Sequence, residues 1–209
     1  MKKAVFFLLS AAMLAVTFNS CNSKPTEEVT EEKQKTERDT DFSGELPELS
    51  VYHLPSNWTN QNGEEIQLAD FRGDIIVSVM IYTTCKAACP RLIADVRRVH
   101  SKVSKSTNKQ VKYVFVSIDP EVDTPETMKK FAKDNDMDSD QWVFLRGDIE
   151  DTREFASVLG VGYKRISPID FSHSNIISVF DQNGELAFQK EGLGVDDESI
   201  VEAIEKLAL

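Results

Sequence analysis

Two cysteines four positions apart are the residues of this 209-residue chain whose type and spacing point most directly to chemistry. Cys85 and Cys89 are followed by Pro90, which suits the first turn of a helix because its missing N–H would be unbonded there anyway. A thiol at a helix amino terminus has a lowered pKa, and its thiolate attacks disulfides or binds soft metal ions. The spacing lets the two sulfurs converge on one point, either bonded to each other or both bound to one ion, and does not choose between these.

Two thiolates form a soft pair that selects Cu(I) or Zn(II), and an imidazole is the usual third donor. The chain has three histidines. His53 lies in an irregular segment and is interpreted as a surface residue. His100 follows the cysteines by about three helical turns, roughly 15 Å, which is too far for the same ion. His173 precedes the last two predicted strands, in a loop expected beside the strand that leads to the cysteines. It is therefore the histidine that we expect to join the pair.

A buried strand and a helix position the two cysteines. Residues 74–82 form a continuous apolar run rich in β-branched side chains, which favours a strand buried on both faces. Apolar residues at helical spacing predict a helix from residue 90 to about 104. The cysteines then lie in an exposed strand-to-helix loop, at the edge of the sheet where open α/β folds bind ligands.

The rest of the domain alternates predicted strands and helices. Trp58 to Leu68 is predicted as a hairpin because Asn62-Gly63 is a strong turn signal. The other predictions are strands at 111–118, 142–145, 175–180 and 185–189, helices opening at 124, 148 and 196, and a loop at 163–173. Alternating strands and helices require right-handed crossovers and parallel strands. The order predicts an α/β fold: a thioredoxin-like mixed sheet flanked by helices, with an added N-terminal β-hairpin.

The amino-terminal residues predict export. Lysines at 2–3 precede a largely apolar stretch at 4–18, the layout of a signal segment. Such a stretch spans only about 22 Å of a bilayer core about 30 Å thick, which favours cleavage or another anchor. Asn19 to Cys21 resembles the lipobox of bacterial lipoproteins, although Phe18 stands where Leu is usual. We expect lipidation of Cys21, the alternatives being an ordinary cleaved signal or an uncleaved anchor.

Composition divides the chain and limits its partners. Residues 22–44 carry four basic and seven acidic residues and almost no large apolar ones, too few to offset the entropy of ordering. We therefore predict a signal peptide at 1–20, a lipid-anchored flexible tether at 21–47 and one domain at 48–209. The chain has 24 Lys and Arg against 35 Asp and Glu, a net charge of −11. Nucleic acid is excluded as an expected partner, because its phosphates demand a basic surface.

The sequence resembles the Sco (SCO1/SenC) family over roughly residues 48–208. The likeness rests on three motifs in the family's order: YTTCKAACP at 82–90, VSIDP at 116–120 with DTPE at 123–126, and DFSHSN at 170–175. Two positions depart from the pattern. Lys86 stands where many members have Pro, and Asp170 lies three positions before the histidine instead of next to it. Asp119 is interpreted either as a site neighbour or as a strand terminus, and Asp123 and Thr124 as helix-capping residues.

The resemblance implies copper bound by Cys85, Cys89 and His173, and a chaperone that helps to assemble the CuA centre of cytochrome c oxidase. Its client would be subunit II of that oxidase or another copper enzyme. Lipidation of Cys21 would place the protein in a bacterial cell envelope, anchored to a membrane and facing the periplasm or extracytoplasmic side. A thiol-disulfide reductase using the same cysteines is the alternative, which the positive charge of Lys86 keeps open. A peroxidase of the peroxiredoxin type is a third reading, and it needs no histidine.

Overall fold

The computed structural model of the protein describes residues 44–194 and 196–208. The predicted signal peptide, the lipidation of Cys21 and most of the tether lie outside the described residues, and they remain predictions. No helix in the described part of the chain combines the length and the apolar character needed to cross a bilayer.

A seven-stranded mixed sheet forms the centre of the domain. Numbered along the chain, its strands are β1 Trp58–Asn60, β2 Glu65–Ile66, β3 Ile75–Ile81, β4 Val111–Ser117, β5 Trp142–Arg146, β8 Ile176–Phe180 and β9 Leu186–Glu191, while β6 Tyr163–Arg165 and β7 Phe171–His173 form a separate sheet. The order across the large sheet is β2-β1-β5-β4-β3-β8-β9. Strands β3, β4 and β5 run parallel, whereas β8 pairs antiparallel with β3. The predicted amino-terminal hairpin is present, and β1 joins it to the sheet by pairing antiparallel with β5. The predicted α/β fold is confirmed.

Helices connect the parallel strands. The helices predicted at 90 to about 104 and from 124, 148 and 196 are all present, and a short helix after the first of them was not predicted. They are α1 Cys89–Lys102, α2 Lys105–Asn108, α3 Pro125–Asp134, α4 Ile149–Val158 and α5 Asp197–Leu207, with short 3-10 helices at Val51–His53 and Leu68–Phe71. Thr124 caps α3 as predicted, because its hydroxyl accepts a hydrogen bond from the Thr127 N–H at 3.3 Å. Helix α1 begins one residue earlier than predicted, at Cys89 itself.

Strand β3 holds the centre of the core, since all seven of its residues are buried. Helix α1 adds Leu92, Val96 and Val99, each no more than 1% exposed. A strand covered on both faces loses its polar alternation, which explains the continuous apolar run in the sequence. The segment that leads to the cysteines is therefore packed into the core of the domain.

Strands occupy residues 163–165 and 171–173, so the prediction of a continuous loop at 163–173 was wrong at both ends, with a turn at 166–170 between them. Strands β6 Tyr163–Arg165 and β7 Phe171–His173 make a separate two-stranded antiparallel sheet. Each strand has three residues, and Phe171 is the buried one among them, so neither shows the alternation that marks a strand. His173 thus lies on a strand, opposite Tyr163. We call this pair of strands the histidine hairpin.

The ring of His100 on α1 packs among aromatic side chains. Its centroid lies 5.2 Å from that of Tyr113 and 4.8 Å from that of Trp142. Burial lowers the pKa of His100 below its ordinary value of 6.5, and the positive charge of Arg97 lowers it further. The unfolded chain therefore binds this proton more tightly than the folded domain.

We expect stability to fall on acidification between pH 6.5 and the lower pKa of folded His100, because protons there favour the unfolded state. The free energy of unfolding should change by at most about 1.4 kcal/mol per pH unit through this histidine. Urea unfolding between pH 5 and 8 measures it. His100→Gln should flatten this part of the curve, while His53→Gln, at an exposed histidine, should leave it unchanged. Equal slopes in wild type and His100→Gln would contradict the assignment.

Candidate metal centre

The carboxyl ends of two parallel strands and the start of an antiparallel one meet at one edge of the sheet. Strand β3 ends at Ile81 and β4 at Ser117, and the register of β3 against β8 pairs Val79 with Ile177. The chain reaches Cys85 just after β3, and it leaves His173 just before β8. The tertiary structure therefore brings both segments to the edge that the sequence predicts.

The two cysteines are free thiols joined by a backbone hydrogen bond. The N–H of Cys89 donates to the sulfur of Cys85 at 3.3 Å. The thiols themselves are buried, with Cys85 6% and Cys89 1% exposed, so the predicted exposure of this loop was wrong for both sulfurs. Cys89 is buried because it is the first residue of α1 and packs into the core. Lys86 between them is exposed, so solvent and partners meet a positive charge there.

The two thiols differ in acidity. Burial acts to raise the pKa of Cys85, but hydrogen bonds from the N–H groups of Cys89 and Ala87 and from neighbouring side chains outweigh it, and the pKa is lowered overall. Burial raises the pKa of Cys89, and negative charge on Cys85 and Asp123 raises it further. Cys85 is consequently the thiol that ionises first.

The imidazole of His173 faces Cys89. Its Nδ1–H donates to the Ser174 carbonyl oxygen at 2.9 Å, which makes Nε2 the ring nitrogen that accepts or binds an ion. That Nε2 lies 3.8 Å from the Cys89 sulfur. The ring also stands edge-on to Tyr82, with centroids 6.0 Å apart. The three residues singled out from the sequence, Cys85, Cys89 and His173, are therefore neighbours in the fold.

The grouping of Cys85, Cys89 and His173 supplies two sulfurs and one ring nitrogen as donor atoms. Within residues 44–194 and 196–208, no three or more side chains of His, Cys, Asp or Glu already form a metal-binding cluster. An ion held here would require the thiol protons to leave and the sulfurs to turn toward the imidazole. A cleft of about 560 Å³ beside His173 gives access to the ring; it is lined by Gly162, Tyr163, Lys164, Ser172, Ser174, Asn175, Glu191 and Gly192.

The other two histidines lie outside this grouping. His53 is exposed, and its Nε2 lies 2.9 Å from the Pro47 carbonyl oxygen. His100 packs among aromatic rings at the far end of α1 from the cysteines. The sequence-based assignment of these two residues away from the thiols agrees with the structure.

Asp123 was predicted to cap a helix, and this prediction was wrong. Its carboxylate instead binds the segment just before Cys85. It is fully buried, and one of its oxygens accepts a hydrogen bond from the Thr83 hydroxyl at 2.5 Å. The Thr83 N–H at 3.2 Å and the Ser117 hydroxyl at 2.5 Å donate to the same carboxylate. Thr124 supplies the cap of α3. The three hydrogen bonds to Asp123 instead hold the segment before Cys85 against the end of β4, and we call them the Asp123 brace. Burial raises the pKa of this carboxyl.

Fold and site together define a class: a thioredoxin-like domain with a dithiol and an imidazole at one edge of its sheet. The chain belongs to the SCO1/SenC family, whose pattern matches residues 50–209. The SCO1 protein homolog of Bacillus subtilis is 33% identical over 93 residues, which covers 44% of this chain and 48% of that protein. The chain thus matches about half the length of this curated relative.

Solved structures share the fold. A SCO1/SenC family lipoprotein from Bacillus anthracis has a TM-score of 0.67 and 26% identity, over 73% of this chain and 92% of that one. Arabidopsis thaliana ScoI, crystallised with copper bound, has a TM-score of 0.64 and 19% identity, over 72% of this chain and 96% of that one. These likenesses support the thioredoxin-like architecture of the described domain.

Proposed function

We propose that this protein is a copper chaperone that holds Cu(I) between Cys85, Cys89 and His173. The observation that carries the proposal is the position of His173 Nε2, 3.8 Å from the sulfur of Cys89, whose backbone N–H in turn donates to the sulfur of Cys85. Two thiolates are soft donors and imidazole is a common copper ligand, so such a set binds Cu(I) in preference to hard cations. Membership of the SCO1/SenC family and the copper in Arabidopsis ScoI support the same ion.

Delivery follows from the geometry of such a site. Three protein donors leave a bound Cu(I) open to a further ligand. A thiolate of the client can then enter from the cleft beside His173 and take the ion by stepwise ligand exchange. The buried sulfurs shield the ion from solvent oxidants until that exchange begins. The proposed cargo is copper, and the proposed reaction is its transfer.

The client and the location extend the same proposal. We infer that the client is subunit II of cytochrome c oxidase, whose CuA centre receives the copper, or another copper enzyme outside the cytoplasm. A lipid on Cys21 would hold the protein on a membrane of the bacterial cell envelope, facing the periplasm or extracytoplasmic side. The lipobox-like sequence and the lipoprotein relative from Bacillus anthracis support this anchor. Metabolic labelling with a radioactive fatty acid, compared between wild type and Cys21→Ser, tests it.

His173→Ala should weaken Cu(I) binding by about 100-fold. Structural zinc sites gain about 10–16 kcal/mol from four ligands, or roughly 3 kcal/mol per ligand, and about 1.4 kcal/mol is a factor of ten. The measurement is competition against a chromophoric Cu(I) chelator, using the full chain with Cys21→Ser so that the only thiols are those of the site. His53→Ala is the matched control and should bind like wild type. Equal affinity of His173→Ala and wild type would refute this ligand set.

A thiol-disulfide reductase is the second candidate, and the unequal acidity of the two thiols favours it. The Cys85 thiolate would attack a client disulfide and form a mixed disulfide, releasing one client thiolate. Cys89 would then lose its proton, attack the Cys85 sulfur and release the second client thiolate. The client gains two electrons, and the Cys85–Cys89 disulfide carries the oxidation.

His173 separates the two candidate functions. A reductase should keep its turnover of a client disulfide in His173→Ala, whereas a chaperone should lose its copper affinity in the same variant. The reduction potential of the Cys85 and Cys89 pair supplies an independent test. A disulfide that resists cellular reductants, with no turnover of client disulfides, would exclude the reductase.

A further inference from the structure

The histidine hairpin is tied to the main sheet through Arg165. Its guanidinium lies 2.7 Å from an Asp119 carboxylate oxygen, just past the end of β4, and 3.4 Å from Glu121. The other arm of the guanidinium donates to the Pro168 carbonyl oxygen at 3.0 Å, within the turn of the hairpin. Its central carbon also stands 4.5 Å from the centre of the Phe171 ring. One side chain therefore contacts the sheet, the turn and β7.

The ion pair with Asp119 is the strongest of these contacts. The Asp119 side chain is 2% exposed, whereas that of Arg165 is 39% exposed. A buried carboxylate without a partner is costly, so this one holds the guanidinium in place. Glu121 is 70% exposed, and its contact with Arg165 adds little. The planar guanidinium also stacks on Phe171, which a lysine does not reproduce.

The register of the hairpin relates Arg165 to the imidazole. Arg165 lies opposite Phe171, and Tyr163 lies opposite His173, two residues along each strand. The Phe171 ring packs against Tyr82 with centroids 5.2 Å apart, and Tyr82 in turn stands edge-on to the His173 ring. Tyr82 immediately precedes the loop that holds the cysteines. A shift of Arg165 would therefore move the imidazole relative to the thiols.

We propose that Arg165 is a positioning residue for the imidazole: its pairing with buried Asp119 and its stacking on Phe171 hold the histidine hairpin where His173 reaches Cys89. The inference deepens the proposed copper function and rests on it for its binding assay. It concerns this chain's own side chains, and the ring environment of His173 can be observed without any metal.

The first test is the Cu(I) affinity of Arg165→Met, measured with the full chain carrying Cys21→Ser. Loss of a residue that orients a ligand should weaken Cu(I) binding by about 10-fold or somewhat more. In a His173→Ala background the same change should have no further effect, because Arg165 acts through that ring. Arg97→Met is the matched control, since the Arg97 and Asp136 side chains of its ion pair are 45% and 87% exposed. An additional loss in the His173→Ala background would overturn the proposal.

The second test is NMR of the histidine rings without metal. The chain has three histidines, so His53 and His100 serve as internal references. Arg165→Met and Asp119→Asn should each shift the His173 ring signals, and the double variant should shift them no further. Arg165→Lys should lie between Arg165→Met and wild type. Unshifted His173 signals in Arg165→Met would overturn the inference. Failure of His173→Ala to alter Cu(I) affinity would instead refute the proposed function, and the NMR result would still decide the positioning role.

Discussion

Replacing Cys85 with serine is expected to abolish high-affinity Cu(I) binding, lowering the affinity on the order of 1,000-fold or more. The serine hydroxyl is a hard donor that stays protonated near neutral pH, so the site would lose both a soft ligand and a negative charge. The Cys85 sulfur also accepts a hydrogen bond from the Cys89 N–H, and the pKa of the Cys85 thiol is lowered. We therefore expect it to be the first thiolate that an incoming ion meets. Competition with a chromophoric Cu(I) chelator measures the loss.

Matched variants give this experiment its specificity. Cys89→Ser should cause a loss of similar size, because both sulfurs are needed to hold the ion. Thr84→Ser alters an exposed neighbour in the same loop and should bind Cu(I) like wild type. Retention of wild-type affinity in Cys85→Ser would show that copper binds elsewhere, and it would remove the basis for the proposed copper site.

Removal of the Asp123 carboxylate should lower the free energy of unfolding of the domain more than any other single change in the segment before Cys85. Asp123→Ala would remove the acceptor of the Ser117 hydroxyl in the protein interior and of the hydroxyl and N–H of half-buried Thr83. An unpaired donor costs about 1–3 kcal/mol when fully buried and less when half-buried, so we expect the free energy of unfolding to fall by about 2–5 kcal/mol. Urea unfolding followed by circular dichroism measures this change.

Two further variants distinguish the brace from a general effect of losing an aspartate. Asp123→Asn keeps the size of the side chain and one acceptor oxygen, so its loss of stability should be smaller than that of Asp123→Ala. Asp134→Ala removes an exposed carboxylate on α3 and should change stability by no more than about 0.5 kcal/mol. If Asp123→Ala unfolded at the wild-type urea concentration, the hydrogen bonds beneath the cysteine loop would not support the domain.

Features that depend on neighbours in the chain were predictable from the sequence. The buried strand before the cysteines, the helix after them and the turn at Asn62-Gly63 all appear where the residue pattern places them. Continuous apolar runs, helical spacing and turn residues are local signals, because each reports the environment of its own segment. The choice of Cys85, Cys89 and His173 as neighbours followed from the same strands and their expected order.

Other features were decided by contacts between distant segments. No local sequence pattern predicts four of these features. They are the histidine hairpin, the burial of the two sulfurs, the hydrogen bonds to Asp123 and the pairing of Arg165 with Asp119. Asp119 and Arg165 are 46 residues apart, and Asp123 lies 40 residues from Thr83. The sequence by itself determined which side chains can do chemistry here and at which edge of the sheet they meet. Only the tertiary structure decided how they are oriented, because burial, charge pairing and the direction of a ring depend on the segments packed around them.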